Sequence, residues 1–123
     1  MPARWAAGTG YRGLEVHTRH LDLDAVLADG GAAVKALVDE TGVRIASLAY
    51  YSTVFRNLAP EDYAVEMRRT IKAAAALGVD TVCTLAGFPA EGKEKMATIR
   101  ELLPGLFAPL AAEAADHGIR IAF

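Results

Sequence analysis

A chain of 123 residues with 53% hydrophobic side chains holds enough apolar surface for one packed domain and is not a disordered tail. A net charge of −2 gives no electrostatic footprint for nucleic acid. A lone cysteine, Cys83, excludes a disulfide framework, and no apolar run reaches membrane-spanning length. The start, Met1-Pro2-Ala3-Arg4-Trp5, lacks the apolar run of a signal peptide. The expectation is a cytoplasmic protein with neither a membrane nor a nucleic-acid partner.

In chain order, residues 4–9 read as the last turns of a helix and residues 13–16 as a strand. The polar stretch His17-Thr18-Arg19-His20 follows. Asp22 or Asp24 can cap a short helix over residues 24–28, which Gly30-Gly31 interrupts. A longer helix over residues 32–41 turns Val34, Leu37 and Val38 toward a sheet. The second strand, residues 45–49, ends in Tyr50-Tyr51 and is followed by a long mixed loop over residues 52–59. Pro60-Glu61-Asp62 opens a helix, with proline in the first turn and acids at the positive end. Its buried stripe is Tyr63, Met67, Ile71 and Ala74, with Glu61, Glu66 and Lys72 toward water. Arg68, Arg69 and Lys72 read as a solvated basic face. Residues 81–85 are a third strand, in which Cys83 is expected as a small core residue. Residues 93–117 are helical in pattern, with Met96, Ile99, Leu103, Leu106 and Leu110 inward. Pro104 and Pro109 predict a kink or break between them. Residues 119–123 form a last strand.

One pattern recurs four times: an alanine-rich helix end, a glycine, then a β-branched apolar run. The stop glycines are Gly10, Gly42, Gly78 and Gly118, spaced by about 32, 36 and 40 residues, room for a strand, a loop and a crossover helix. Repetition in that order is the signature of a parallel α/β sheet, here β-α-β-α-β-α-β with part of a helix in front.

Gly8-Thr9-Gly10-Tyr11-Arg12-Gly13 matches the G-x-G-x-x-G spacing of dinucleotide sites. That fingerprint needs a strand before it and a helix opening after it, and here the order is reversed, so it is rejected. Glu15 and His17 are two apart on one strand and share a face, with Leu14 and Val16 on the other. A carboxylate and an imidazole on the interior of a sheet are costly without a purpose, which makes them candidate site residues. The plainer readings are that Glu15 pairs with a cation and that His17 caps a loop. His17 and His20 alone are a weak metal pair, and His117 sits at a helix end that favours a cation. Tyr50-Tyr51 and Gly87-Phe88 follow strands two and three and can wall a substrate or plug a barrel mouth. Ser47 and Thr84 are hydroxyl donors whose simplest role is packing. Neither a Ser-His-Asp set nor a phosphate loop is present.

Residues 10–17, 40–48, 75–82 and 110–123, taken in that order, resemble the sugar phosphate isomerase/epimerase family, the xylose isomerase-like TIM barrel superfamily. The resemblance implies a fold class of α/β, a partial TIM (β/α)8 barrel of about half the usual ~250 residues. By this match the chain is an incomplete barrel domain carrying strands two to five. It implies a divalent metal (Mn, Mg, Co or Zn) for a full-length member, held by carboxylates and histidines that map to no position here. Tight metal binding by this chain is therefore not expected. What transfers are substrate-facing positions, Glu15, His17, Tyr50, Gly87 and Phe88, for a small sugar or polyol.

The reading that follows is a fragment of a metal-dependent sugar (phosphate) isomerase or epimerase, inactive as it stands. The alternatives are a non-catalytic half-barrel module that assembles with another half, and a metal-dependent endonuclease, which the charge of −2 disfavours. A chain starting in mid-helix and stopping in mid-strand reads as a piece of a longer frame, and its open sheet edges are expected to self-associate.

Overall fold

The computed structural model describes residues 2–123. The order is α1 (Pro2–Gly8), β1 (Gly13–His17), a 3-10 turn (Thr18–His20), α2 (Leu23–Asp29), α3 (Ala32–Thr41), β2 (Arg44–Tyr50), α4 (Pro60–Leu77), β3 (Thr81–Thr84), α5 (Lys95–Glu101), α6 (Leu103–Asp116) and β4 (Arg120–Ala122). The four strands form one sheet in sequential order β1-β2-β3-β4, every pair parallel. Right-handed crossovers that always advance to the next strand lay every helix on the same face. Among the described residues, the opposite face is left without a crossover helix.

The stop glycines do what the sequence requires of them. Gly10, Gly42, Gly78 and Gly118 have φ of 89°, 68°, 69° and 70°, the left-handed region that ends a helix. After Gly78, the Val79 amide donates to the Ala74 carbonyl at 2.9 Å; after Gly118, the Ile119 amide donates to Ala114 at 2.8 Å. Val79 and Ile119 are both buried, so each stop also supplies an apolar contact. The reversed glycine motif is likewise as expected, with α1 before it and β1 after it.

The core lies between the sheet and α4. Tyr63, Met67, Ile71 and Ala74 are fully buried, one face of α4 at helical spacing. They pack with Leu48 and Val82 from the strands and Leu110 from α6. Asp22 is the residue that caps α2, accepting from the Ala25 amide at 3.0 Å, and the helix runs one residue further at each end than expected.

Five expectations are corrected or refined. The α3 stripe Val34, Leu37 and Val38 is only half-buried, because α3 stands off the sheet over a groove of about 510 Å³. The last helix breaks at Leu102, before Pro104 rather than between the prolines. Pro104 falls at the start of α6, where its missing N–H costs nothing, and Pro109 lies inside a continuous helix. Met96 and Ile99 are exposed, since short α5 packs on α6 and not on the sheet. Leu85 lies beyond β3 and is exposed. The basic face of α4 is paired as well as solvated: Arg68 meets Glu113 at 3.0 Å, and Arg69 meets half-buried Glu66 at 2.9 Å and also Asp24.

Candidate functional site

The site is built by a register shift. Leu14 pairs with Ile45, but Glu15 pairs with Ser47, so Ala46 is the extra residue of a β-bulge. Without the bulge Glu15 would sit opposite Ala46, and Ser47 would point into the helix layer. With it, Ser47, Ala49 and Tyr51 fall on the helix-free face with Glu15 and His17. Ala49 pairs with Cys83, which adds the thiol to that face. Cys83 is thus half-buried on the open side of the sheet and is not the buried core residue expected.

Glu15 is the centre of this group. The Tyr51 hydroxyl donates to Oε1 at 2.8 Å and the Ser47 hydroxyl to Oε2 at 3.0 Å. These bonds replace the cationic partner of the plainer reading. The Tyr51 bond most of all, helped by Cys83, Ser47 and His17 and opposed by desolvation, holds the Glu15 carboxyl below its ordinary range. The same bond pushes the Tyr51 phenol up to about 12, because ionising it would set two anions against each other. Tyr51 rests edge-on against His17, ring centroids 5.8 Å apart. His17 also caps the following turn, its Nδ1 accepting from the Arg19 amide at 3.1 Å. Burial first, then Arg19 and His20, lower its pKa and favour the neutral ring.

A pH titration reads this cluster directly. Tyr51 is expected to titrate near 12 in ultraviolet absorbance, and Glu15→Gln is expected to return it toward the ordinary value of about 10. Glu15's depressed pKa stabilises the fold above its unfolded value, and that contribution is lost as pH falls through the folded value. Wild type is therefore expected to lose stability in acid more steeply than Glu15→Gln. Equal slopes and an unmoved phenol would show that the hydrogen bond does not form in solution.

The remaining candidates divide. Tyr50 turns to the helix side and packs on Tyr63, ring centroids 5.5 Å apart. It also borders a groove that His17, Leu21, Glu66 and Arg69 line. Gly87 and Phe88 pack against the loop after β2: the Phe88 amide donates to the Val54 carbonyl at 3.1 Å, and Arg56 lies over the Phe88 ring at 5.2 Å. Thr84 is buried and bonded to Tyr63 and to the Tyr50 carbonyl. His117 is exposed at the end of α6. Tyr51, Ser47 and Cys83 are the partners of Glu15 that sequence reasoning did not join to it; the bulge that unites them has no mark in the sequence.

Among the described residues no three His, Cys, Asp or Glu side chains converge. Both Glu15 oxygens are occupied, and Nδ1 of His17 is committed to the turn. These side chains do not by themselves fit a divalent metal.

A singly wound parallel βα sheet, with polar side chains gathered on its helix-free face toward the C-terminal strand ends, is a sector of a (β/α)8 barrel. The chain belongs to the xylose isomerase-like TIM barrel family, whose model matches residues 3–123. Similar solved structures include a D-psicose 3-epimerase in the presence of D-fructose, at 18% identity and a TM-score of 0.74, covering 98% of this chain and 44% of that one. The 3-keto-D-glucoside 4-epimerase YcjR of E. coli matches at 18% identity and a TM-score of 0.71, covering 97% and 48%. The IolI protein, whose structure has a bound zinc atom, matches at 21% identity and 0.68, covering 95% and 42%. The chain thus spans less than half the length of each of these structures. No curated protein matches the sequence. No described helix is long and apolar enough to cross a membrane.

Proposed function

We propose that this chain is the substrate-facing half of a sugar isomerase or epimerase barrel, corresponding to its strands two to five, and that it is catalytically silent alone. The observation that carries the reading is the Glu15 carboxylate, held ionised between the hydroxyls of Tyr51 and Ser47 on the helix-free face. A polyol presents the same chemistry as those two partners, neutral hydroxyls that donate to a carboxylate. Tyr51 is exposed and can yield its place on Oε1 to a sugar hydroxyl, while buried Ser47 keeps the carboxylate aimed. His17 and Tyr51 supply a flat apolar edge for the sugar's C–H face. Gly87-Phe88 and Tyr50 flank this position at the strand ends.

The chemistry such a barrel performs moves a proton between adjacent carbons, with carboxylate bases and a metal to polarise the oxygens. Glu15 alone cannot run it: its two oxygens are hydrogen-bonded and its low pKa makes it a poor base near neutral pH. The metal that the family implies falls to residues other than these. Calorimetry with Mn²⁺ or Zn²⁺ is accordingly expected to find no site of micromolar or better affinity; one tight site would overturn the reading of the donor set.

Saturation-transfer NMR with D-fructose tests the substrate class. Weak transfer to the sugar is expected from the wild-type chain and loss of most of it from Glu15→Gln, with no epimerised product after incubation with Mn²⁺. Transfer that survives in Glu15→Gln would remove Glu15 from the site, and turnover by the chain alone would contradict its silence.

A further inference from the structure

We propose that Arg56 holds an anionic group, a phosphate or a carboxylate, on the sugar that the Glu15 face accepts; the inference rests on that reading of Glu15 and extends it to a charged substrate. Arg56 lies in the loop between β2 and α4, at the C-terminal strand ends, as Tyr51 does. It is exposed, and its guanidinium lies over the Phe88 ring, 5.2 Å from the centroid. A guanidinium resting on an aromatic face keeps its N–H fork for a further partner, and that fork matches a phosphate or a carboxylate. Among the described residues Arg56 belongs to no ion pair. A guanidinium held in place without a carboxylate is the posture of an anion-binding residue.

The backbone is strained where it carries this side chain. Phe55, the residue before Arg56, has φ of 70° and is the only non-glycine with a positive φ among those described. A bulky residue in that region costs free energy and persists only where its surroundings over-determine it. Here they do. The Phe55 amide donates to the Leu58 carbonyl at 3.2 Å, and the Arg56 and Asn57 amides both donate to the Thr53 carbonyl at 3.1 Å. Val54 is fully buried, and its carbonyl accepts from the Phe88 amide at 3.1 Å, which ties the Arg56 loop to the Phe88 loop. Both loops lie inside the chain, one on each side of α4 and β3. Together they line a pocket of about 340 Å³, formed by Arg56, Pro89, Ala90, Glu91, Gly92 and Lys93. That volume is in the range of small-molecule sites. Lys93 is committed to Glu101, so Arg56 is the cation left for a ligand. Exposed Glu91 stands on the same rim and cancels any general positive field. The pocket therefore selects an anion that bonds the Arg56 fork directly. A sugar held by its hydroxyls at Glu15 and by its anion at Arg56 has its orientation fixed at both ends.

NMR titration of the 123-residue chain with D-fructose, D-fructose 6-phosphate and D-glucuronate is the test. One of the anionic sugars is expected to bind about tenfold or more tightly than D-fructose, the scale of a charge-assisted hydrogen bond. Which of the two does so distinguishes phosphate from carboxylate. Arg56→Met is expected to lower the affinity for that sugar to the level of D-fructose. Arg56 is exposed, so its far-UV circular dichroism is expected to match the wild type. Arg56→Lys keeps the charge but not the planar fork and is expected to restore only part of the preference. Lys35→Met removes the same charge from the exposed face of α3 and is expected to leave the preference intact. Equal affinity for all three sugars, a preference that survives Arg56→Met, or an equal loss in Lys35→Met would overturn the proposal. Glu15→Gln separates it from the reading beneath it. Weakening of all three sugars by Glu15→Gln supports both. A preference that depends on Arg56 while Glu15→Gln changes nothing would uphold the Arg56 site and remove Glu15 from the substrate.

Discussion

Gly87→Ala is expected to cost about 3 kcal/mol of stability, one of the largest losses for so small a change. Gly87 has φ of +100°, where a side chain is strained by roughly 1–3 kcal/mol. An added Cβ would lie 2.6 Å from Val54 Cγ1 and 2.9 Å from the Val54 carbonyl oxygen. The second of these is backbone and is itself held by the Phe88 amide, so it cannot swing aside. Overpacking adds roughly 1–3 kcal/mol. Gly42→Ala is the control, since its φ is +68° but its Cβ would meet nothing within 4 Å. Urea denaturation at fixed protein concentration is expected to show the Gly87 variant losing two to three times as much as the Gly42 variant. Equal losses would mean that backbone strain alone acts and that the two loops do not pack as described.

Tyr63→Ala is expected to remove about 3–5 kcal/mol, enough to unfold much of a marginal domain. Tyr63 is fully buried and joins two aromatic contacts of the core, touching Tyr50 and, edge-on at 5.8 Å, Phe107. Its hydroxyl is 2.6 Å from the Thr84 hydroxyl. Thr84 in turn donates to the Tyr50 carbonyl at 2.7 Å, so Tyr63 is the donor to Thr84. Tyr63→Phe removes that single bond and leaves Thr84 satisfied, for a loss of about 1 kcal/mol. Thermal unfolding of the pair separates ring burial from the hydroxyl. A Phe variant as damaged as the Ala variant would mean that the hydrogen bond, and not the ring, carries the site.

The elements were legible because each is written locally. The Ala-rich turn, the glycine and the β-branched run specify a helix end, a left-handed residue and a strand without help from distant residues. The stripe Tyr63, Met67, Ile71 and Ala74 is read off a period of 3.6 and is buried as read. What failed depends on neighbours the sequence does not order. Met96 and Ile99 fit the helical period of residues 93–117, but the break at Leu102 lets α5 leave the sheet. Proline spacing indicated a break without fixing its side, because proline is tolerated in a first turn as readily as it ends a helix.

The site was half legible for the same reason. Glu15 and His17 follow from strand periodicity. Ser47 by that periodicity belongs with Ile45, and the bulge at Ala46 moves it to Glu15 instead. Tyr50 and Tyr51 are adjacent aromatics of equal standing in the sequence. The register sends Tyr50 to Tyr63 and Tyr51 to Glu15. Cys83 reads as core by composition, and its pairing with Ala49 puts it on the open face.

Amide chemical-shift mapping of the labelled chain with a ketohexose tests the central claim most directly, since it reports position rather than binding alone. The account expects shifts at Glu15, His17, Ser47 and Tyr51, smaller ones at Gly87 and Phe88, and their loss in Glu15→Gln. Shifts confined to the groove under α3, at Lys35, Arg44 and Val79, with the Glu15 face silent, would contradict it.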